Sequence, residues 1–372
     1  MAETTYWISE HDVVSVLDLA VALEELRAGF AHEGNELAVE LEKTMLGYGD
    51  HATLHALGAA FSGLELAGTK VWTHTPGGAD PLLCLFDTRS GALVACIEAF
   101  ALGQLRTSGT AALATDVLAP KNASVLAVIG TGKQALPQVA AVAQVRPLAE
   151  VRAYSRSPER REAFAAKVTD ALGVRCHAAG SAKEAVEGAD VVTLVTRATE
   201  PVLLDAMVTP GMHLNAVGAI DLERREFEPA ILARCSAIVT DSLSQAKRLS
   251  SELREFFGTQ ASTGGGVAGS AEGAGSAHVG GWSGVRTLGA VVAAGTPARE
   301  PGDVTLFKGM GSGIEDVALG AAVLRRLGIG PGAEQQQVRA PSGTLPGSVV
   351  ALGRRGRAEV ALGGRTDAPA LR

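Results

Sequence analysis

Val16, Leu19, Ala20, Leu23, Leu26 and Phe30 recur at three- and four-residue intervals, the spacing that lines one face of an α-helix. Just before them, Ser9-Glu10-His11-Asp12 has the Ser-x-x-acid form of a capping box, which satisfies free donors at a helix start. The pattern predicts an amphipathic helix opening the chain. From about residue 44 to 98 the rhythm shortens into strand-like runs such as Lys70-Val71-Trp72-Thr73 and Leu82-Leu83-Cys84-Leu85-Phe86, split by Pro76-Gly77-Gly78 and Ser90-Gly91 turn signals. Between about 121 and 257 short apolar runs (Val125–Ile129, Val151–Tyr154, Val191–Val195, His213–Val217 and Ala237–Thr240) alternate with helix-length amphipathic segments, the mark of βαβ units and a parallel sheet. Residues 258–285 are rich in Gly, Ala and Ser and bury too little apolar area to offset their ordering entropy, so they read as a flexible insertion. Order resumes at Val285, followed by Val304-Thr305-Leu306-Phe307, a glycine turn and a helix from Asp316 to about Leu327.

A length of 372 residues suits two domains. The fold class expected is α/β, with a doubly wound Rossmann sheet inserted in a mixed α+β domain. Residues 120–302 form the dinucleotide-binding domain, 1–119 with 303–330 the substrate-binding and dimerisation domain, and 331–372 a disordered tail. A net charge of −7 offers no polycation for a phosphate backbone, which argues against nucleic acid as a partner. No apolar stretch reaches the roughly 18 residues of a membrane span, and the first ten residues lack a signal-peptide core, so a cytoplasmic location is expected. Cys84, Cys96, Cys176 and Cys235 stand far apart without metal-ligand spacing and read as small buried apolar residues rather than metal ligands.

The strongest local motif is Val128-Ile129-Gly130-Thr131-Gly132-Lys133-Gln134-Ala135, a buried strand entering a GxGxxA turn and then a helix. Gly130 suits the tight turn, Gly132 the close approach of a pyrophosphate and Ala135 close helix packing, with Thr131 and Gln134 beside them. A diphosphate would rest on the helix N-terminus, where free N–H groups favour negative charge. At the end of the second strand an NAD enzyme usually carries Asp or Glu, whereas this chain has Tyr154-Ser155-Arg156-Ser157. Ser155 and Arg156, aided by Arg160 or Arg161, suit a 2′-phosphate, so NADP(H) is preferred over NAD(H); the alternative is that these arginines merely solvate a helix start.

Read together, Gly68-Thr69-Lys70-Val71, Leu105-Arg106-Thr107-Ser108-Gly109-Thr110, the GxGxxA turn, Thr196-Arg197-Ala198-Thr199-Glu200-Pro201, His213-Leu214-Asn215-Ala216-Val217-Gly218, Thr240-Asp241-Ser242 and Thr305-Leu306-Phe307-Lys308-Gly309-Met310-Gly311 resemble the ornithine cyclodeaminase and mu-crystallin superfamily over about residues 40 to 328. The resemblance implies a homodimer in which the N-terminal segment, rejoined by the last helix, surrounds an inserted Rossmann domain. It also implies that Lys70 and Arg106 bind the carboxylate of an imino or amino acid; the alternative is a surface ion pair. Thr107 matches a position that touches cofactor phosphate. Thr196, Val217 and Gly218 fall at strand ends where such sheets bind ligands, and Gly309-Met310 would bring backbone near the nicotinamide, or else form a bare helix-entry turn.

Two departures qualify the match. Cyclodeaminases carry an aspartate two residues after the glycine of their Asn-Ala-Val-Gly segment, and here that position is Ile220. Asp221 follows and is a candidate acid or base, though a one-residue shift favours a helix N-cap. Near Lys43, many members have an arginine, whose bidentate fork lysine lacks. The expected activity is NAD(P)H-dependent reduction of an imino acid C=N bond, or its reverse. The alternatives are an ornithine cyclodeaminase using bound NAD+ and releasing ammonia, and a non-catalytic NADPH-dependent small-ligand-binding protein.

Overall fold

The computed structural model describes residues 5–49, 52–259, 281–295, 300 and 302–329. The elements at the start are β1 (Tyr6–Ile8), α1 (Glu10–Val16), α2 (Leu19–Gly34), β2 (Ala38–Tyr48), β3 (Ala52–Phe61), β4 (Leu66–His74), β5 (Leu82–Asp87), β6 (Leu93–Glu98) and α3 (Phe100–Leu118). The opening is therefore two helices after a short strand rather than one helix. The predicted capping box is present, with the Ser9 side chain accepting from the Asp12 amide and the Asp12 side chain accepting from the Ser9 amide. The break follows from Asp18, whose side chain caps α2 by accepting from the Val21 amide, and an aspartate is more at ease there than inside a helix. The strands form one sheet in the order β1-β6-β5-β4-β3-β2, antiparallel except for β1 beside β6.

The next region holds β7 (Val125–Ile129), α4 (Ala135–Val145), β8 (Glu150–Tyr154), α5 (Pro158–Leu172), β9 (Arg175–Ala178), α6 (Ala182–Val186), β10 (Val191–Leu194), β11 (His213–Ala216), β12 (Cys235–Thr240), α7 (Leu243–Leu249) and α8 (Ser251–Phe257). After it come β13 (Val285–Thr287), α9 (Leu288–Ala294), β14 (Val304–Lys308) and α10 (Gly313–Arg326). The second sheet is wholly parallel in the order β13-β12-β14-β11-β10-β7-β8-β9. Its central strands are buried on both faces, as β10, β11 and β14 are at every position, which is why they read as continuous apolar runs rather than alternating ones.

Three expectations need correction. Val304–Lys308 belongs to the parallel sheet, between β11 and β12, and not to the substrate domain, because its all-buried pattern suits only a central strand. Regular structure is present before Val285: Gly281–Gly284 form a 3-10 turn in which Trp282 is buried and donates to the Gly258 carbonyl. Residues 260–280 of the predicted insertion and the 331–372 tail lie outside the described residues. Finally, Cys84 and Cys96 face each other across β5 and β6 with Sγ atoms 3.8 Å apart, and both, like Cys176, are only half-buried. Among the described residues no helix is long and apolar enough to cross a membrane, and no cluster of His, Cys, Asp or Glu could hold a metal ion.

Helix α10 joins the two layers. It packs on β2, β3, β4, α2 and α3, and its start presses so closely on β3 that a Cβ at Gly313 would lie 1.9 Å from the Gly58 carbonyl oxygen. Only glycine fits there. Ile314, Val317, Leu319 and Val323 join α2, α3 and the inner face of the first sheet in one core, while two further cores cover the parallel sheet.

Candidate active site

The GxGxxA turn connects β7 to α4 as the sequence predicts. Gly130 has φ +112°, a conformation glycine alone adopts without strain, and its amide donates to the Tyr154 carbonyl at 2.8 Å. Gly132 is exposed, and a Cβ built on it would meet nothing within 4 Å. The turn before α4 therefore borders open space at Gly132, the Ala135 amide donates to the Gly132 carbonyl at 3.0 Å, and the buried Gln134 Oε1 has no partner. A dinucleotide pyrophosphate fits this arrangement. At the end of β8, Thr131 Oγ1 donates to Ser155 Oγ (3.0 Å), which donates to the Ser157 carbonyl (3.3 Å). Arg161 reaches the Ser155 carbonyl and lies over the Tyr154 ring. Arg156 is exposed and has no hydrogen bond or ion pair among the described residues.

Thr196, Val217 and Gly218 follow β10 and β11, at the carboxyl edge of the parallel sheet. What holds Thr196 and Gly218 is a residue that carries no motif of its own. The fully buried Glu226 carboxylate accepts from the Thr196 amide (2.6 Å) and hydroxyl (2.9 Å), the Gly218 amide (2.7 Å) and the Ala219 amide (3.0 Å). Burial raises its pKa, opposed by the charge of Lys308 and these donors. Lys308, also buried, donates to the Ala219 carbonyl at 2.5 Å and lies 3.6 Å from Glu252. A buried carboxylate must be satisfied, so the four donors and Glu226 fix one another. Thr107, on α3, donates to the Gly103 carbonyl, and its own carbonyl accepts from Gln138 of α4.

The Gly309-Met310-Gly311 turn is clasped rather than bare. Asp241, at the end of β12, accepts from the Met310 amide with Oδ1 and the Gly311 amide with Oδ2, each at 2.8 Å. Gln245 donates to the Gly311 carbonyl at 2.7 Å. Glu40 of β2 accepts from Ser242 and Gln245, and burial chiefly lifts its pKa to about 7. The turn leads into α10, whose first residues carry the acids of the site.

Lys70 on β4 and Arg106 on α3, far apart in sequence, converge on α10. Lys70 Nζ donates to Asp316 Oδ1 at 2.6 Å, and Arg106 Nη1 donates to Glu315 Oε2 at 2.8 Å. These pairs are buried, unlike a surface ion pair. Arg106 Nε, Glu315 Oε1 and Asp316 Oδ2 remain without hydrogen-bond partners though all three are buried. Such orphans are rare in folded proteins and mark a place made for something else. Burial pushes the Lys70 pKa down to about 8, aided by Arg106 and opposed by Asp316. For Arg106 burial works against the charge, but Asp316 and Glu315 outweigh it and hold the pKa above its usual value. Burial drives Glu315 well above the ordinary carboxyl range, with Arg106 opposing.

Lys43 completes the group. The β2–β3 register slips between Leu41 and Thr44, so Glu42 and Lys43 together oppose Leu57 in a β-bulge, a device that re-aims a side chain. Lys43 is 7% exposed and has no ion-pair partner among the described residues. Burial, then Arg106 and Lys70, lower its pKa to about 8, against the pull of Asp241 and Asp221. Asp221 is not a helix cap, since no helix follows it. Its Oδ1 accepts from the Glu223 amide and its Oδ2 lies 3.3 Å from Arg224 Nε.

The family model for the ornithine cyclodeaminase/mu-crystallin family matches residues 5–328. The chain belongs to that family. Mouse ketimine reductase mu-crystallin is 31% identical over 239 residues, 62% of this chain and 75% of that protein. Among solved members of the family, a probable ornithine cyclodeaminase from Bordetella pertussis is 26% identical with TM-score 0.75, covering 87% of this chain and 97% of its own. An archaeal alanine dehydrogenase dimer with bound NAD matches equally in identity (26%) and TM-score (0.75), covering 87% of this chain and 95% of its own.

Proposed function

We propose that this protein is an NAD(P)H-dependent reductase of the C=N bond of an imino acid, able to run in reverse on the amino acid. The observation that carries the reading is the trio of Lys43, Lys70 and Arg106, with an unpartnered Lys43 ammonium and an Arg106 Nε that makes no hydrogen bond and lies 3.7 Å from Asp316, beside the carboxyl edge of a sheet with an open Gly132 turn. The mu-crystallin relative is named a ketimine reductase and the archaeal relative an alanine dehydrogenase, and both activities join a carboxylate-bearing substrate to the same redox change.

When bound, the nicotinamide supplies or accepts the hydride. The turn that Gly130 and Ala135 bound would hold its diphosphate on the backbone of Thr131, Gly132 and Gln134, with Thr107 nearby, and Thr196, Val217, Gly218, Gly309 and Met310 would flank its reactive end. Arg106 and Lys43 anchor the substrate carboxylate and keep its α-carbon in one register. Lys70, poised near neutrality and bonded to Asp316, holds the proton that the substrate nitrogen needs. Asp221, with both oxygens engaged, acts through its charge on Lys43. NADP(H) is the preferred cofactor because Arg156 stands free where an acidic residue would select NAD(H), which remains the second cofactor. The cyclodeaminase alternative lacks its aspartate at Ile220, and the ligand-binding alternative gives no task to the Lys70–Asp316 pair.

A second copy of the chain is the proposed partner. Val39, Leu41, Leu46, Tyr48, Leu54, Val71 and Phe86 share the outer face of the first sheet and are exposed, an apolar patch of the kind that marks an interface. The archaeal relative is described as a dimer.

The test is a screen of cyclic and linear imino acids with NADPH and NADH, read as loss of nicotinamide absorbance. Arg106→Ala should lower kcat/KM at least a hundredfold, about 2.7 kcal/mol of transition-state binding, with an unchanged circular dichroism spectrum. Ammonia release from ornithine without net cofactor change would replace this reading with the cyclodeaminase, and tight NADPH binding without turnover would replace it with the binding protein.

A further inference from the structure

The inner face of the first sheet continues past Lys70, and its next residues have no part in holding the carboxylate. Side chains two apart on a strand share a face, so Trp72 follows Lys70 along β4. His55 lies directly opposite Trp72 on β3, and Met45 opposite His55 on β2. The His55 and Trp72 rings stack with centroids 4.7 Å apart and planes 4° from parallel. Lys70 Nζ lies 5.3 Å from the Trp72 ring centre. A molecule whose carboxylate is held by Arg106 and Lys43, with its nitrogen at Lys70, thus has its remaining atoms within reach of an aromatic wall.

We propose that the stacked His55–Trp72 pair is the specificity wall for the substrate side chain, selecting a neutral ring or chain over a cationic or anionic one. This rests on the imino-acid reading and deepens it. The stack offers apolar surface and geometry suited to a ring. Burial, with the charges of Lys43 and His74, lowers the His55 pKa to about 4, so the wall is uncharged at neutral pH. One ring nitrogen bonds Thr53 Oγ1 at 2.7 Å and the other, Nδ1, is buried without a partner, so the ring pair offers its apolar surface. Neither Met45, Thr53, His55, Trp72 nor His74 is acidic. A basic side chain placed there would therefore find no carboxylate on the wall itself and would face Lys43 and Lys70, which already engage Asp316, Asp241 and Asp221. An acidic one would give up hydration against two rings. Discrimination by an unpaired charge is stronger than discrimination by fit alone.

Binding of amino acids to the full chain saturated with reduced cofactor, followed by calorimetry, tests this without requiring turnover. L-proline should bind at least tenfold tighter than L-ornithine or L-aspartate. Trp72→Leu and His55→Ala should each weaken L-proline about tenfold while changing glycine, which has no side chain, less than twofold. Glycine binding also reports that each variant is folded. His55→Glu should raise ornithine affinity at least tenfold. Equal losses for proline and glycine, or ornithine or aspartate bound as tightly as proline by the unmodified chain, would overturn the wall while leaving the imino-acid reading intact. No binding of glycine or proline would overturn both.

Discussion

Lys43 is the residue where chemistry and strand geometry meet. Its ammonium and that of Lys70 have pKa values lowered to about 8, burial being the largest cause. On the proposed reading the charged form of Lys43 binds the carboxylate, so affinity is complete below that pH and is lost as pH rises through it. KM for an imino acid should therefore rise above about pH 8 as Lys43 loses its proton, and kcat should fall as Lys70 loses the proton it is proposed to hold for the substrate nitrogen. Lys43→Arg, whose charge persists at all working pH, should move that rise upward, and an unmoved KM profile would remove Lys43 from the site. The proposed cofactor preference turns on one side chain as well. Arg156→Ala should weaken NADPH about tenfold, roughly one lost charge-assisted contact, and NADH less than twofold, measured by fluorescence titration; equal losses would defeat the NADP(H) preference. Lys70, Arg106 and the small residues around Gly130 were legible as sequence because each sits in a motif. Glu226 and the buried acids Glu315 and Asp316 were not, since a carboxylate gains its meaning only from donors that the chain brings from elsewhere.

At the scale of elements, the apolar runs located the parallel strands closely, and β7 coincides with the predicted Val125–Ile129. Strand β9 went unread because only Cys176 and Ala178 give its four residues apolar character, and two of its positions are exposed. The β2 bulge was invisible for a similar reason, since a slip of register alters pairing and leaves composition untouched. Helix α10 shows what an element contributes beyond its own stability. Its first turn supplies Glu315 and Asp316, and its entry is fixed by the contact between Gly313 and Gly58. Gly313→Ala should force the two apart and lower stability by about 1–3 kcal/mol or more. Arg106 and Lys70 should then lose their partners' register, so kcat/KM should fall beyond what the lower melting temperature explains. A variant with unaltered melting temperature and kinetics would show the junction to be yielding.

For the whole molecule, the decisive surface is the outer face of the first sheet. Val39 is 64% and Leu46 62% exposed, and the bulge keeps residues on both sides of it on this one face. Pairing two such faces would remove the apolar area from water and cover the exposed edge strand β2. Val39→Asp with Leu41→Lys should convert a dimer to a monomer in analytical ultracentrifugation, whereas a monomeric unmodified chain would refute the proposed partner.

The two ligand-bearing surfaces are tied by a very short tether. Strand β14 ends at Lys308 and α10 begins at Gly313, and Asp241 clasps the intervening backbone. The distance between the proposed dinucleotide and acid sites is thus set like the jaws of a fixed-gauge tool. Insertions that surface loops absorb freely would here misalign the reacting atoms, so changes of substrate have to be made by recarving the wall instead of resizing the gap.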